Sequence, residues 1–209
     1  MQHDPLLSTT YAGPIAWYSM ALQSGAFVLE DAENFQKQTF RNRCYVVSHQ
    51  GVQMLNIPLD HKGPLEIKEV RISFVENWNQ IHWRALVSGY GSAPFFEILA
   101  PELEPLFTSP PERLWDWNLA LMELFLKWLN EDIQWRPTGK FNLSYPRDLR
   151  NSIHPKSMPR IHYPTYDQVF SEKGGFHPGL SIMDAFFHLG PATAEYLYQL
   201  DLSSLDSNP

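Results

Sequence analysis

Three basic side chains crowd together in a chain that is otherwise acidic: Lys37, Arg41 and Arg43, within Glu33-Asn-Phe-Gln-Lys-Gln-Thr-Phe-Arg-Asn-Arg-Cys44. The chemistry they suit is anion binding. An arginine guanidinium is a rigid fork that matches carboxylate or phosphate oxygens, and Asn42 between the two arginines adds a donor and an acceptor. If residues 35–47 run extended, Lys37, Arg41 and Arg43 share parity and project from one face. The same row also suits an exposed edge strand, where Lys and Arg deter strand-on-strand aggregation.

Histidine supplies the other chemistry, because its ordinary pKa lies near neutral pH. His82 falls on a helical stripe with Trp78, Ile81 and Ala85, a placement that equally fits a packed, hydrogen-bonded ring. His154 stands just before Pro155. The eight histidines are scattered and Cys44 is the single cysteine, so neither a metal site nor a disulfide framework is expected. Cys44 leads into Tyr45, Val46 and Val47, a strand-like run in which cysteine behaves as a small buried hydrophobe.

With 209 residues, 44% hydrophobic and 14% aromatic, the chain can bury a sizeable core in one domain. A net charge of −7 and a pI near 5.6 leave no broad basic surface, which argues against nucleic acid and for a small anionic ligand. The residues from Met1 lack a signal-peptide pattern, and no apolar run has membrane-spanning length. A soluble, cytoplasmic protein without a membrane span is expected. Oligomeric state and cofactors stay open.

The elements that must position these residues can be read in order. Pro14 suits the first turn of an amphipathic helix from Ile15 to Gln23, after a strand or loop from Leu6. Ala26 to Asp31 reads as a buried strand with Glu30 and Asp31 at its carboxyl end, where α/β sheets place ligands. Arg43–Ser48 and Val52–Leu59 read as a hairpin turning through His49-Gln50-Gly51, and Leu65–Ser73 as a third strand after a polar loop over 60–64. Asn77 with Gln80 resembles a capping box for a helix that Gly89 and Gly91 end, and Pro94 starts a short helix broken by Pro101. Pro110-Pro111-Glu112 opens the clearest helix, whose stripe of Leu114, Trp117, Leu121, Leu124 and Trp128 includes Asn118, a core-facing polar residue that needs partners. Ile133–Thr138 reads as a strand and Asp148–His154 as a short helix. Tyr163, Tyr166, Phe170 and Phe176 cluster around Gln168, as a pocket lining or as pegs for a long loop. Ser181-Ile-Met-Asp184 is a capping-box pattern that accounts for Asp184 by capping. A phosphate-binding glycine loop, a nucleophile elbow and a His-Glu-x-x-His motif are all missing.

The order of segments resembles the WbqC-like proteins. The resemblance rests on Leu7-Ser-Thr-Thr-Tyr11 with Pro14, on Lys37 to Cys44, on Leu55-Asn-Ile-Pro58, and on Asn77-Trp78 with His82-Trp83. It continues through Tyr90-Gly-Ser-Ala-Pro94-Phe-Phe, Asp116-Trp-Asn118, Asp148-Leu-Arg150 with His154-Pro155-Lys156, Tyr166-Asp-Gln168-Val-Phe170, and Leu180 to Asp184 with Gly190-Pro191. Where family members often carry Gln-Pro before the tyrosine and a second proline after it, this chain has Thr9-Thr10 and Ala12-Gly13-Pro14.

The resemblance implies a single WbqC-like domain over residues 1–209, with a tail at 203–209 expected to fray. The fold class expected is α/β (α+β), with a mixed, partly antiparallel central sheet and a mainly helical C-terminal half. It further implies a bacterial transferase acting on a small anionic or nucleotide-activated donor in surface-polysaccharide biosynthesis. The other class is a non-catalytic glycan- or protein-binding protein that uses Trp78, Trp83, Tyr163 and Tyr166. The candidate catalytic residues are His82, His154 and Asp148. The candidate substrate-binding residues are Lys37, Arg41, Asn42, Arg43, Asn118, Arg150 and Gln168.

Overall fold

The structure is a computed structural model that describes residues 3–60 and 63–206. Its frame is a parallel strand pair joined by a buried helix. β1 (Leu6–Ser8) pairs in parallel with β2 (Ala26–Glu30), and α1 (Ile15–Ser24) is the crossover that such pairing requires. Residues Ile15 to Leu22 of α1 are all buried, so this helix lies inside the molecule and shows no polar face. Gly25 ends it in a left-handed conformation (φ 68°), with its N–H donating to Leu22 O at 3.0 Å. β7 (Gln134–Pro137) adds in parallel to the other side of β2, which makes β2 the central strand of three.

Between β2 and β7 the chain makes a long excursion. The hairpin of β3 (Arg43–Ser48) and β4 (Gly51–Asn56) pairs Arg43 with Asn56 and Ser48 with Gly51, and Gly51 takes the positive φ (100°). β5 (Leu59–Asp60) pairs with β6 (Arg71–Ile72). Then come α2 (Trp78–Tyr90), α3 (Phe96–Thr108) and α4 (Leu114–Leu129). After β7, residues 138–180 are mostly irregular apart from α5 (Ser171–Gly174), and α6 (Ile182–Leu189), α7 (Thr193–Tyr198) and α8 (Ser203–Asp206) close the chain.

The α/β class stands, and helices dominate the later part. Pairing is segregated, however: the three-stranded sheet is wholly parallel, and the antiparallel pairs form separate two-stranded ladders. Several local expectations change. Residues 35–42 turn instead of running extended, so Lys37, Arg41 and Arg43 do not form a row on one strand face. Leu65–Ser73 holds a 3-10 turn (Ile67–Glu69) and the two-residue β6 instead of one strand. α3 runs straight through Pro101 and Pro105; both lie on its exposed side, where water can take the carbonyls they leave unbonded, while Phe96, Leu103 and Phe107 stay buried. Asp148–His154 forms turns, because Asp148 Oδ1 accepts the Arg150 N–H at 3.1 Å and competes with a helical start. This segment covers the outer edge of β1, with Leu6 N–H donating to Arg147 O and Leu149 N–H to Leu6 O. In the tail, residues 203–206 are helical and Leu205 is buried, while 207–209 fall outside the described residues, as do 61 and 62 of the polar loop.

Candidate functional site

Three polar clusters carry the candidate residues, and they differ in how their charges are settled. The first lies at the carboxyl ends of β1 and β2, the place where a parallel sheet usually binds ligands. Here Glu30, Asp31 and Glu33 are buried together with Arg41 and Arg150. Arg41 grips Glu33 with two bonds, Nε to Oε1 at 2.7 Å and an Nη to Oε2 at 2.5 Å, and also donates to Ser8 Oγ at 2.6 Å. Arg150 donates to Glu30 Oε2 at 2.8 Å, to both oxygens of Asp148 and to Asn142 O, with the Phe141 ring 4.9 Å from its guanidinium carbon.

Burial opposes charge on Asp31, but the Lys68 ammonium, the Thr138 hydroxyl and the Gly139 N–H outweigh it and hold the carboxyl below its ordinary pKa. Asp148 is likewise held down by Arg150 against its own desolvation, which makes it a weak base. The space left among Ser8, Thr9, Thr10, Arg41 and Arg150 is about 10 Å³, too small for more than a water. The ligand position at this sheet edge is therefore filled by the protein's own side chains.

The second cluster is an open cleft of about 300 Å³ lined by Phe35, Lys37, Gln38, Asn42, Arg43 and Leu59, without an acidic side chain among them. Arg43 is half-buried at the start of β3, its Nε is buried without a hydrogen-bond partner, and among the described residues no carboxylate pairs with it or with Lys37. Asn42 is fixed by donating to Asn56 Oδ1 (3.2 Å) and Ile57 O (3.0 Å), which leaves its own Oδ1 unpartnered. Three residues predicted to bind an anion thus meet at one opening, on a turn and a strand start instead of along one strand. His154 is the candidate histidine whose charge environment includes Arg43. Burial first, then the charges of Lys156, Arg41 and Arg43, hold its pKa below the ordinary value, so it is neutral at pH 7. Its Nδ1 accepts the Lys156 N–H at 3.1 Å, which assigns the proton to Nε2.

The third cluster, around Asp184, was not expected. Ser181 Oγ caps α6 by accepting the Met183 N–H, but the Asp184 side chain does not return to complete a capping box. Its carboxyl is fully buried and accepts from Tyr166 Oη (2.5 Å) and Gln168 Nε2 (2.7 Å) at Oδ2, while Oδ1 has no partner. His188 accepts the Val169 N–H on Nε2 at 2.9 Å, and its Nδ1 lies 2.7 Å from Asp184 O and 3.7 Å from Asp184 Oδ2. Desolvation, only partly offset by His188, Tyr166 and Gln168, pushes the Asp184 pKa up. Gln168 also brackets His177, donating to its O and accepting from its N–H, so the cluster ties residues 166–177 to α6.

The remaining candidates lie apart. His82 is buried against Tyr11, whose hydroxyl is 2.9 Å from its Nδ1, and burial lowers its pKa to about 4. Asn118 is fully buried on α4 and donates to Arg41 O at 2.8 Å, which holds the loop that carries Arg41. Trp78 is in the core, Trp83 packs on Phe96 and Phe107, and Tyr163 lines an open groove. Cys44 is buried and its thiol pKa pushed up, as suits a core residue. Glu33 was the member of the first cluster that sequence reasoning missed; eight residues before Arg41, it has no local spacing signal to mark it as a partner.

Among the described residues no three His, Cys, Asp or Glu side chains gather as a metal-holding group, and no helix is long and apolar enough to cross a membrane. No solved structure matches the chain. An uncharacterised protein of Mycobacterium tuberculosis, Rv1507c, is 23% identical over 227 residues, spanning 94% of this chain and 98% of that protein. The sequence profile of the WbqC-like protein family matches residues 9–154, a stretch that holds the sheet-end cluster, the Lys37–Arg43 cleft and His154 but ends before Tyr166 and Asp184, and the chain belongs to that family.

Proposed function

We propose that the protein is a transferase that takes a small anionic or nucleotide-activated donor, with the donor's phosphate or carboxylate seated between Lys37 and Arg43. One observation carries this reading: in a chain of net charge −7, Arg43 and Lys37 share an open cleft with no acidic wall, and neither has a carboxylate partner among the described residues. Half-burying an unpaired guanidinium is unfavourable, and an anionic ligand would relieve that cost. On this reading the reaction belongs to bacterial surface-polysaccharide biosynthesis in the cytoplasm, as the resemblance to the family implies. We assign the proton-transfer role to His154, whose imidazole feels the charges of Arg41 and Arg43. For His154 to act as general base on an attacking hydroxyl or amine, Nδ1 must first release the Lys156 N–H, a bond at an exposed residue.

The test is thermal unfolding of wild type and Arg43→Gln with nucleotide-sugars, acyl phosphates and pyrophosphate, followed by product analysis with whichever donor binds. A ligand at 100 times its dissociation constant adds about 2.7 kcal/mol to wild type, and the variant should show none of it. Stabilisation by no anion overturns the reading. Binding without turnover in the presence of hydroxyl and amine acceptors would favour the non-catalytic alternative.

A further inference from the structure

A second groove opens beside the cleft, and nothing in the reading above uses it. It encloses about 340 Å³ and is walled by Phe40, Tyr45, Met158, Arg160, Tyr163 and Gly179 together with three prolines. Two links join it to the cleft. Arg43 and Tyr45 are two apart on β3, so their side chains leave the same face, roughly 7 Å apart along the strand. His154, which feels the charges of Arg41 and Arg43, continues directly into Pro155 and the segment that forms the groove's rim. The outer side of the hairpin therefore runs from a basic end at Arg43 to an apolar end at Tyr45 and Val52.

We infer that this groove binds the heteroaromatic base of a nucleotide whose phosphate sits at Lys37 and Arg43. The inference rests on the anion reading of the cleft and names the ligand class. The walls favour a flat ring: Tyr45 meets Phe40 edge to face with centroids 6.0 Å apart, and three prolines with Gly179 add rigid surfaces. Gly179 holds a positive φ (68°) and brings backbone to the Tyr163 ring, its absent Cβ lying 3.5 Å from Oη. The Tyr163 hydroxyl is buried and has no hydrogen-bond partner among the described residues, while Arg160 is exposed on the wall. The Arg160 guanidinium can meet ring heteroatoms, a use that an alkyl chain cannot make of it. Stacking on aromatic side chains tolerates any base, so the groove predicts a nucleotide without naming purine or pyrimidine.

The experiment is calorimetric titration of the full chain with UMP, AMP, ribose 5-phosphate, octyl phosphate and inorganic phosphate. A nucleotide should bind at least about tenfold tighter than ribose 5-phosphate, the scale of one stacked base. Met158→Trp, which fills the groove from a partly exposed position, should abolish that advantage and leave ribose 5-phosphate and inorganic phosphate affinity unchanged; Tyr45→Leu should do the same. Arg43→Gln should weaken every phosphate compound. Equal binding of nucleotide and ribose 5-phosphate, or octyl phosphate matching the nucleotides, overturns the base groove while leaving the anion site intact. Failure of every phosphate compound to bind overturns both.

Discussion

Arg41 and Arg43 are two residues apart and of one type, yet they occupy opposite physical situations. Arg41 is buried, gripped twice by Glu33, bonded to Ser8 and held from behind by Asn118 through its backbone carbonyl. Arg43 opens on a cleft, with Nε unpartnered and no carboxylate to pair with among the described residues. A cation that is already paired contributes to holding the fold; one left unpaired in a partly dry site is available to a ligand. The difference moves the functional emphasis away from the carboxyl edge of the parallel sheet, where Glu30, Glu33, Asp148 and two arginines satisfy one another, and towards the start of the hairpin.

The strongest way to break this comparison is to remove the partner that makes Arg41 structural. Glu33→Ala leaves a buried guanidinium without its counter-charge and should cost about 3–5 kcal/mol in urea unfolding. The double change Glu33→Leu with Arg41→Met removes both charges and should recover much of that loss. If Glu33→Ala is as mild as a surface change, the sheet-end pair is not a structural element and Arg41 returns as a ligand-binding residue.

Acid should expose the next difference. His82 has a folded pKa of about 4 against an ordinary 6.5, so the unfolded chain takes the proton first. Its contribution is intact above pH 6.5 and is lost as pH falls towards 4, a change of about 3 kcal/mol. Asp31 and Asp148, whose folded values are depressed, add to the loss at lower pH still, as the carboxylates protonate. His82→Gln can keep a hydrogen bond to Tyr11 but cannot titrate. A stability profile between pH 6.5 and 4 that is as steep in this variant as in wild type would remove His82 as the cause.

Asp184 should slope the other way. Its raised pKa means that the folded state holds the proton longer, so stability falls as pH rises above the ordinary carboxylate range. Asp184→Asn can still accept from Tyr166 and Gln168 and carries no charge. It should unfold within about 1 kcal/mol of wild type at pH 5 and gain on it at pH 8. A variant that loses stability equally at both values would mean the carboxylate is paired after all.

Which parts of this were legible in the sequence follows from the range of the forces involved. α4 and β2 are set by local periodicity and burial, and the hairpin by Gly51, so pattern reading places β2 to within a residue and finds α4 and the hairpin, though the helix starts at Leu114 and the second hairpin strand ends at Asn56. Arg43 and Lys37 were found by type alone, and their shared cleft depends on turns at 35–42 that no periodicity announces. Glu33 with Arg41, Glu30 with Arg150 and Tyr166 with Asp184 are tertiary pairs at separations of 8, 120 and 18 residues. Such pairs leave no mark in spacing. Asp148 misled for a local reason, since an Asx turn and a helix start compete for the same residues.

The smallest effect on stability belongs to Arg43, and it is the most informative. Arg43→Gln removes a half-buried charge that has no carboxylate partner among the described residues, so its unfolding free energy should stay within about 0.5 kcal/mol of wild type. Stabilisation by pyrophosphate should nevertheless disappear. Arg43→Lys keeps the charge but replaces a planar fork with a point charge, and it should recover only part of the ligand effect because bidentate contact is lost. Glu33→Leu with Arg41→Met should bind pyrophosphate as wild type does, since neither side chain lines the cleft. If Arg43→Gln is instead strongly destabilised without ligand, Arg43 has a structural partner like that of Arg41. The two arginines would then differ in exposure alone, and the cleft would lose its claim to a ligand.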